Sequence, residues 1–158
     1  MDPAVAAAAA VHVLVERRET FATAESLTGG LVASTVVEIP GVSAVYRGWL
    51  VVYATELKHT LAGVPEALLR DRGPVDAEVA GALAAGARDR CQADWGLATT
   101  GVAGPDPQEG RAVGTVWIAV AGPGGATARL LDLSGDRTAI RQATCAAALQ
   151  LLAAELGE

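Results

Sequence analysis

The chain has 158 residues and a formal charge of −6, from 12 basic and 18 acidic side chains; it is 51% hydrophobic and 4% aromatic. That length suits one compact domain over residues 1–158, able to remove roughly 70% of its unfolded-chain surface from water. The acidic balance and scarcity of rings argue against a nucleic-acid platform, and the richness in Ala, Val and Leu argues against disorder.

The longest apolar run, about Ala4 to Val15, is broken by His12 and is too short to span a bilayer. It follows Met1-Asp2-Pro3 without the basic segment of a secretory leader. Cys91 and Cys145 stand far apart with no metal-ligand spacing, which predicts two buried thiols in a reducing cytoplasm; with the short apolar run, no membrane partner is expected.

In chain order, Asp2 as cap and Pro3 at the first helical position open a helix carrying Val11, Leu14, Val15 and Arg18 at helical spacing. Thr20 to Glu25 reads as a strand, which meets Ser26 and Gly29-Gly30 before a helix from Leu31 to Ile39 that Pro40-Gly41 stops. Val45 to Tyr53 reads as one strand, or as two joined by a kink near Gly48, followed by short helices over Glu56–Ala62 and Glu66–Arg72. After the Gly73-Pro74 turn, Asp76 caps a helix to Arg90 that aligns Val79, Leu83 and Ala87. Trp95 to Thr100 is a further strand, ending at Gly101-Val102-Ala103-Gly104-Pro105 and a polar loop from Asp106 to Arg111. Val113–Ala121 and Thr127–Leu133 form a hairpin around Gly122 to Gly125. The last helix covers Asp136 to Leu156, with Ile140, Ala143, Ala147, Leu151 and Ala154 inward. Alternating strands and helices with one hairpin predict an α/β fold: a three-layer α/β/α sandwich with a mixed, mostly parallel sheet of five or six strands.

Two strands thus end in glycine-rich loops, and in open α/β sheets ligands bind beyond the carboxyl ends of strands. Neither loop is a Walker A or a G-x-G-x-x-G, so the pair reads either as a ligand cradle or as two tight turns. Ser26 occupies the strand-turn-helix position of a nucleophile, although Ser26 or Thr28 could instead cap the following helix. A nucleophilic serine needs a base. His12 and His59 lie on helices without an H-E-x-x-H pattern or a matched aspartate and read as structural or solvent-facing.

Arginine accounts for 11 of the 12 basic residues, leaving Lys58 as the only lysine. A lysine whose pKa is lowered by burial can act as a base near neutral pH, whereas arginine cannot. Tyr53, one of two tyrosines, precedes Lys58 at the expected strand end. Ser, Lys and Tyr together form a hydrolase constellation; the alternative is a solvated lysine beside a core tyrosine. Arg137 and Arg141, one turn apart at a helix start, could grip a phosphate or form a solvated face. Nothing in the carboxylate or histidine spacing points to a metal.

Taken in order, these motifs resemble those of the CinA C-terminal domain family. Ala24-Glu25-Ser26-Leu27-Thr28-Gly29-Gly30 resembles its A-E-S-C-T-G-G signature, Tyr53 to Lys58 its Y-[SA]-x-E-x-K segment, and Thr100 to Pro105 its T-G-[IV]-A-G-P loop. Gly114-Thr115-Val116 and Gly135-Asp136-Arg137 with Arg141 match in order and spacing. The resemblance covers nearly the whole chain and implies a stand-alone domain without the molybdopterin-binding-like partner domain of longer members. It implies a nicotinamide-nucleotide amidase that converts nicotinamide mononucleotide to nicotinate mononucleotide and ammonia in pyridine-nucleotide recycling, without cofactor.

By that resemblance Ser26 is the nucleophile, Lys58 its base and Tyr53 a third member that orients it or relays protons. Backbone N–H groups around Thr28, Gly29 and Gly30 would face the oxyanion, and the loop carrying Thr100, Gly101 and Gly104 would face the nucleotide. Arg137 or Arg141 is our expected phosphate contact, and a homo-oligomer, a dimer, the expected assembly. Leu27 stands where the family usually has cysteine, Asp76 where it has serine, and Arg111-Ala112 where it has Lys-Pro. Two other readings stand beside the amidase: a non-catalytic module that binds a nucleotide or a partner, and Schiff-base chemistry at Lys58.

Overall fold

The computed structural model describes residues 2–157. Asp2 caps α1 (Pro3–Arg17) by accepting the Ala4 N–H at 2.9 Å, and Pro3 sits in its first turn as the sequence predicts. The buried stripe runs through Ala6, Ala7, Ala10, Val11 and Leu14. Val15 is 45% exposed, because a 100° step beyond Leu14 carries it to the rim, and Arg18 is the left-handed residue that ends the helix.

β1 (Phe21–Glu25) is buried along its whole length. It leads through the Ser26–Gly30 turn to α2 (Leu31–Val36), which stops short of the expected Ile39 at the β-branched run Thr35-Val36-Val37. A 3₁₀ turn (Val42–Ala44) precedes β2 (Tyr46–Val51). Of the two readings the single strand is found, with a register shift beside Gly48: Phe21 pairs with Tyr46 but Ala22 with Gly48, so Arg47 is the extra residue. Next come α3 (Thr55–Thr60), α4 (Glu66–Arg72), α5 (Ala77–Arg90), β3 (Trp95–Gly101), the hairpin β4 (Thr115–Gly122) and β5 (Gly125–Asp132), and α6 (Arg137–Glu155).

The sheet has five strands in the order β2-β1-β3-β4-β5, between α1, α2 and α6 on one face and α5 with α3 and α4 on the other. The mixed sandwich is as expected, but the parallel share is smaller than expected. β1 pairs in parallel with β2 and β3, while β3–β4 and β4–β5 are antiparallel. The chain returns from β3 to β4 through a loop at the same end of the sheet, not through a crossover helix, which forces the antiparallel pairing.

Alanine and glycine bring the helices close to the sheet: a Cβ on Gly96 in β3 would overlap the Ala84 carbonyl of α5. In α6 the inward line is Ile140, Thr144, Ala148 and Leu151; Ala143 and Ala154, expected inward, are exposed on the flanks. Cys145 is buried as predicted and Cys91 only partly. Among the described residues no helix is long and apolar enough to cross a membrane.

Candidate active site

Parallel pairing places three strand ends side by side. Glu25 is in register with Val51 of β2 and with Thr99 of β3, so Ser26 emerges between Val52 and Thr100. The order β2-β1-β3 also means that the chain steps from β1 to β2 by way of α2 on one face and then crosses back past β1 to β3 by way of α5 on the other. A crevice forms at such a switch point, beyond the carboxyl ends.

The Ser26 turn is built by a residue not singled out from the sequence. Glu25, 1% exposed, points under α2. Its carboxylate accepts the Thr28 hydroxyl at 2.6 Å and the N–H groups of Gly30, Val32 and Ala33 at 3.2, 3.0 and 3.0 Å. These donors compensate a charge that would otherwise be costly to bury. Gly29 and Gly30, at φ 57° and 102°, supply the consecutive left-handed residues that wrap the chain around the carboxylate. The available signal was an acidic residue at the inner end of an apolar strand, just before a glycine turn.

Lys58 reaches the same point from α3 and is 1% exposed. Its Nζ lies 2.9 Å from Ser26 Oγ, 2.8 Å from the Val52 carbonyl oxygen and 3.3 Å from that of Tyr53. Burial lowers its pKa to about 8, against a smaller opposing influence of Glu56. Among the described residues no carboxylate forms an ion pair with it. A neutral amine has two N–H bonds and one lone pair. With the two carbonyls taking the N–H groups, the lone pair is left for the Ser26 hydroxyl.

The remaining predicted residues fall into two groups. Tyr53, Gly101, Gly104, Thr100 and Arg137 line the crevice with Ser26 and Lys58, around about 550 Å³ that is partly continuous with solvent. The Tyr53 ring is 62% exposed, and its hydroxyl accepts from Arg137 Nη2 at 3.0 Å and makes no hydrogen bond with Ser26 or Lys58. Arg137 also donates to the Gly104 carbonyl. The Thr100 hydroxyl is turned away, onto the Pro74 carbonyl at 2.6 Å. Thr28, Gly29, Gly30 and Arg141 stand behind the crevice wall. Thr28 directs its hydroxyl to Glu25 and Thr99, and Arg141 donates to the Leu27 and Thr28 carbonyls, each at 2.9 Å.

Of the three N–H groups expected to face an oxyanion, two are engaged inside the turn: Gly29 donates to the Ser26 carbonyl and Gly30 to Glu25. Those of Thr28 and of Leu27 have no partner among the described residues. Asp76 caps α5 through the Glu78 and Val79 N–H groups, as a serine there would. Arg111 pairs back on Gln108, itself a lining residue.

The family model of the CinA C-terminal domain matches residues 4–156. The chain belongs to that family. A CinA-like protein of Frankia casuarinae is 51% identical over 140 residues, 89% of this chain and 32% of that protein. One of Gloeobacter violaceus is 42% identical over 98% of this chain and 37% of its own length. The chain thus spans about a third of the length of the curated relatives it matches. Among solved structures, the CinA superfamily protein of Enterobacter cloacae superposes with a TM-score of 0.96 at 28% identity, over 99% of this chain and 94% of that one. The competence/damage-inducible protein of Agrobacterium tumefaciens gives 0.93 at 32% identity, over 100% and 97%. The CinA fold is therefore shared along the whole described chain, with the Ser26 turn at its switch point.

Proposed function

We propose that this CinA-family domain is an amidohydrolase that deamidates nicotinamide mononucleotide, with Ser26 as nucleophile and Lys58 as base. The observation that carries the reading is the 2.9 Å separation of Lys58 Nζ from Ser26 Oγ, with the amine buried, without an ion-pair partner among the described residues, and its pKa lowered by burial to about 8. The substrate itself comes from the family resemblance, and the crevice beside Ser26 opens to solvent, where a small molecule could enter.

In the proposed reaction neutral Lys58 takes the Ser26 hydroxyl proton as Oγ attacks the carboxamide carbon. The oxyanion forms beside the Leu27 and Thr28 N–H groups. Lys58 then returns the proton to the departing nitrogen, the C–N bond breaks and ammonia leaves an ester on Ser26. Water adds to that ester, giving its proton to Lys58, and nicotinate mononucleotide departs as Ser26 regains its hydrogen. Arg137 is the proposed phosphate contact, because it lines the crevice and only two of its five N–H donors are engaged. Tyr53 would act from the wall, orienting substrate through Arg137.

Ammonia release from nicotinamide mononucleotide tests this directly. Wild type should turn over, while Ser26→Ala and Lys58→Met remain folded and lose at least about 1,000-fold in kcat. Equal turnover in either variant removes its assigned role. Nucleotide binding without turnover in the wild type would instead favour the binding module.

A further inference from the structure

The two α6 arginines have the same spacing from the sequence but different surroundings. Arg137 faces the crevice; Arg141 does not line it, and its Nε and Nη2 are engaged by the Leu27 and Thr28 carbonyls at 2.9 Å each. We infer that Arg141 is a positioning residue for the nucleophile turn and not a phosphate ligand. The inference rests on the proposed roles of Ser26 and Lys58.

A trans peptide is planar, with its C=O and N–H on opposite sides. Fixing the Leu27 carbonyl against Arg141 therefore fixes the Thr28 N–H in the opposite direction. That N–H and the Leu27 N–H are the two in the Ser26–Gly30 turn with no partner among the described residues, although Leu27 is 4% exposed and Thr28 fully buried. Buried N–H groups are nearly always bonded, so two adjacent ones immediately after the nucleophile are placed to receive a developing oxyanion. From the other side Glu25 holds the Thr28 hydroxyl and the Gly30 N–H. The turn is thus clamped between a carboxylate that takes two of its donors and a guanidinium that takes two of its carbonyls. A lysine ammonium in place of the fork has rotatable donors with no fixed planar spacing, so it would not hold the two carbonyls in the same fixed geometry.

Arg141→Gln, Arg141→Lys and Arg137→Gln test the assignment by two readouts. The first is ammonia release from nicotinamide mononucleotide and from its dephosphorylated riboside. Both Arg141 variants should lose about 100-fold in kcat with little change in KM, equally on the two substrates, as expected of a displaced reacting group. Arg137→Gln should raise KM for the nucleotide alone.

The second readout needs no turnover: the rate at which a fluorophosphonate modifies Ser26, followed by intact mass. There the Oγ–P bond forms, fluoride leaves and Lys58 receives the hydroxyl proton. Both Arg141 variants should slow labelling at least about 10-fold, and Arg137→Gln should not. If wild type labels rapidly but releases no ammonia, the substrate assignment fails while the role of Arg141 is still read from labelling. Wild-type labelling rates in folded Arg141→Lys, or a KM effect confined to the phosphorylated substrate, overturn the inference.

Discussion

Arg137 Nη2 donates to the Tyr53 hydroxyl across 3.0 Å, tying the first turn of α6 to the segment that leaves β2. The phenol that the sequence aligns with Ser26 and Lys58 is therefore bonded to a guanidinium on the crevice wall. Removing only that oxygen, in Tyr53→Phe, should raise KM for the nucleotide about 3- to 10-fold, by the loss of one hydrogen bond to a charged group. The loss should be far smaller than that of Lys58→Met. Steady-state kinetics of the two variants side by side distinguish a wall role from direct proton relay, which would lower kcat instead.

The pH dependence follows from the sign of the Lys58 shift. As the proposed base, Lys58 must be uncharged, and its pKa is lowered by burial to about 8. Activity should therefore climb with pH, reach half its plateau near pH 8 and level off above it. A profile falling between pH 6 and 9 would contradict this assignment.

Stability should respond to the same group. Between about 8 and the ordinary lysine value of 10.5, the unfolded chain holds a proton on Lys58 that the folded chain has released. Folding therefore gains with rising pH across that window, and the burial penalty is fully felt below it. Relative to Lys58→Met, wild type should gain about 2–3 kcal/mol between pH 7.5 and 10.5. Burial raises the Cys91, Cys145 and Tyr46 pKa values, which acts in the opposite direction in both proteins, so the difference between denaturation series isolates the lysine.

Glu25→Gln should destabilise the fold by about 3 kcal/mol, since an amide brings an NH₂ to a place where four donors already converge. At this chain length that corresponds to a fall in Tm of about 6–12 °C. Thermal unfolding measures it, and an unchanged Tm would mean that the carboxylate does not hold the turn.

In α5, Gly86 lies against the chain that leaves α3, where an added Cβ would overlap the Ala62 carbonyl. Gly86→Ala gains about 1 kcal/mol of helix propensity, but it must push away the backbone four residues beyond Lys58. The expected result is a net loss of about 2 kcal/mol or more, with lowered activity in whatever remains folded, read by urea denaturation and ammonia assay. A stabilised, fully active variant would show that the contact yields freely.

What the sequence determined was local. Helix starts at Asp2, Asp76 and Asp136, the glycine turn after Glu25 and the hairpin around Pro123-Gly124 depend on residue types within a few positions of one another, so propensity and spacing reveal them. The single lysine was equally legible, because its rarity needs no coordinates. Tertiary structure decided which groups meet. That Lys58 reaches Ser26 while the Tyr53 hydroxyl goes to Arg137, that Glu25 lies beneath the turn, and that Arg141 turns away from the crevice all follow from the parallel register of β1 with β2 and β3 and from how α6 packs across the sheet. Such contacts join residues up to more than a hundred positions apart. Their geometry is set by close packing of the whole core, which no local pattern encodes.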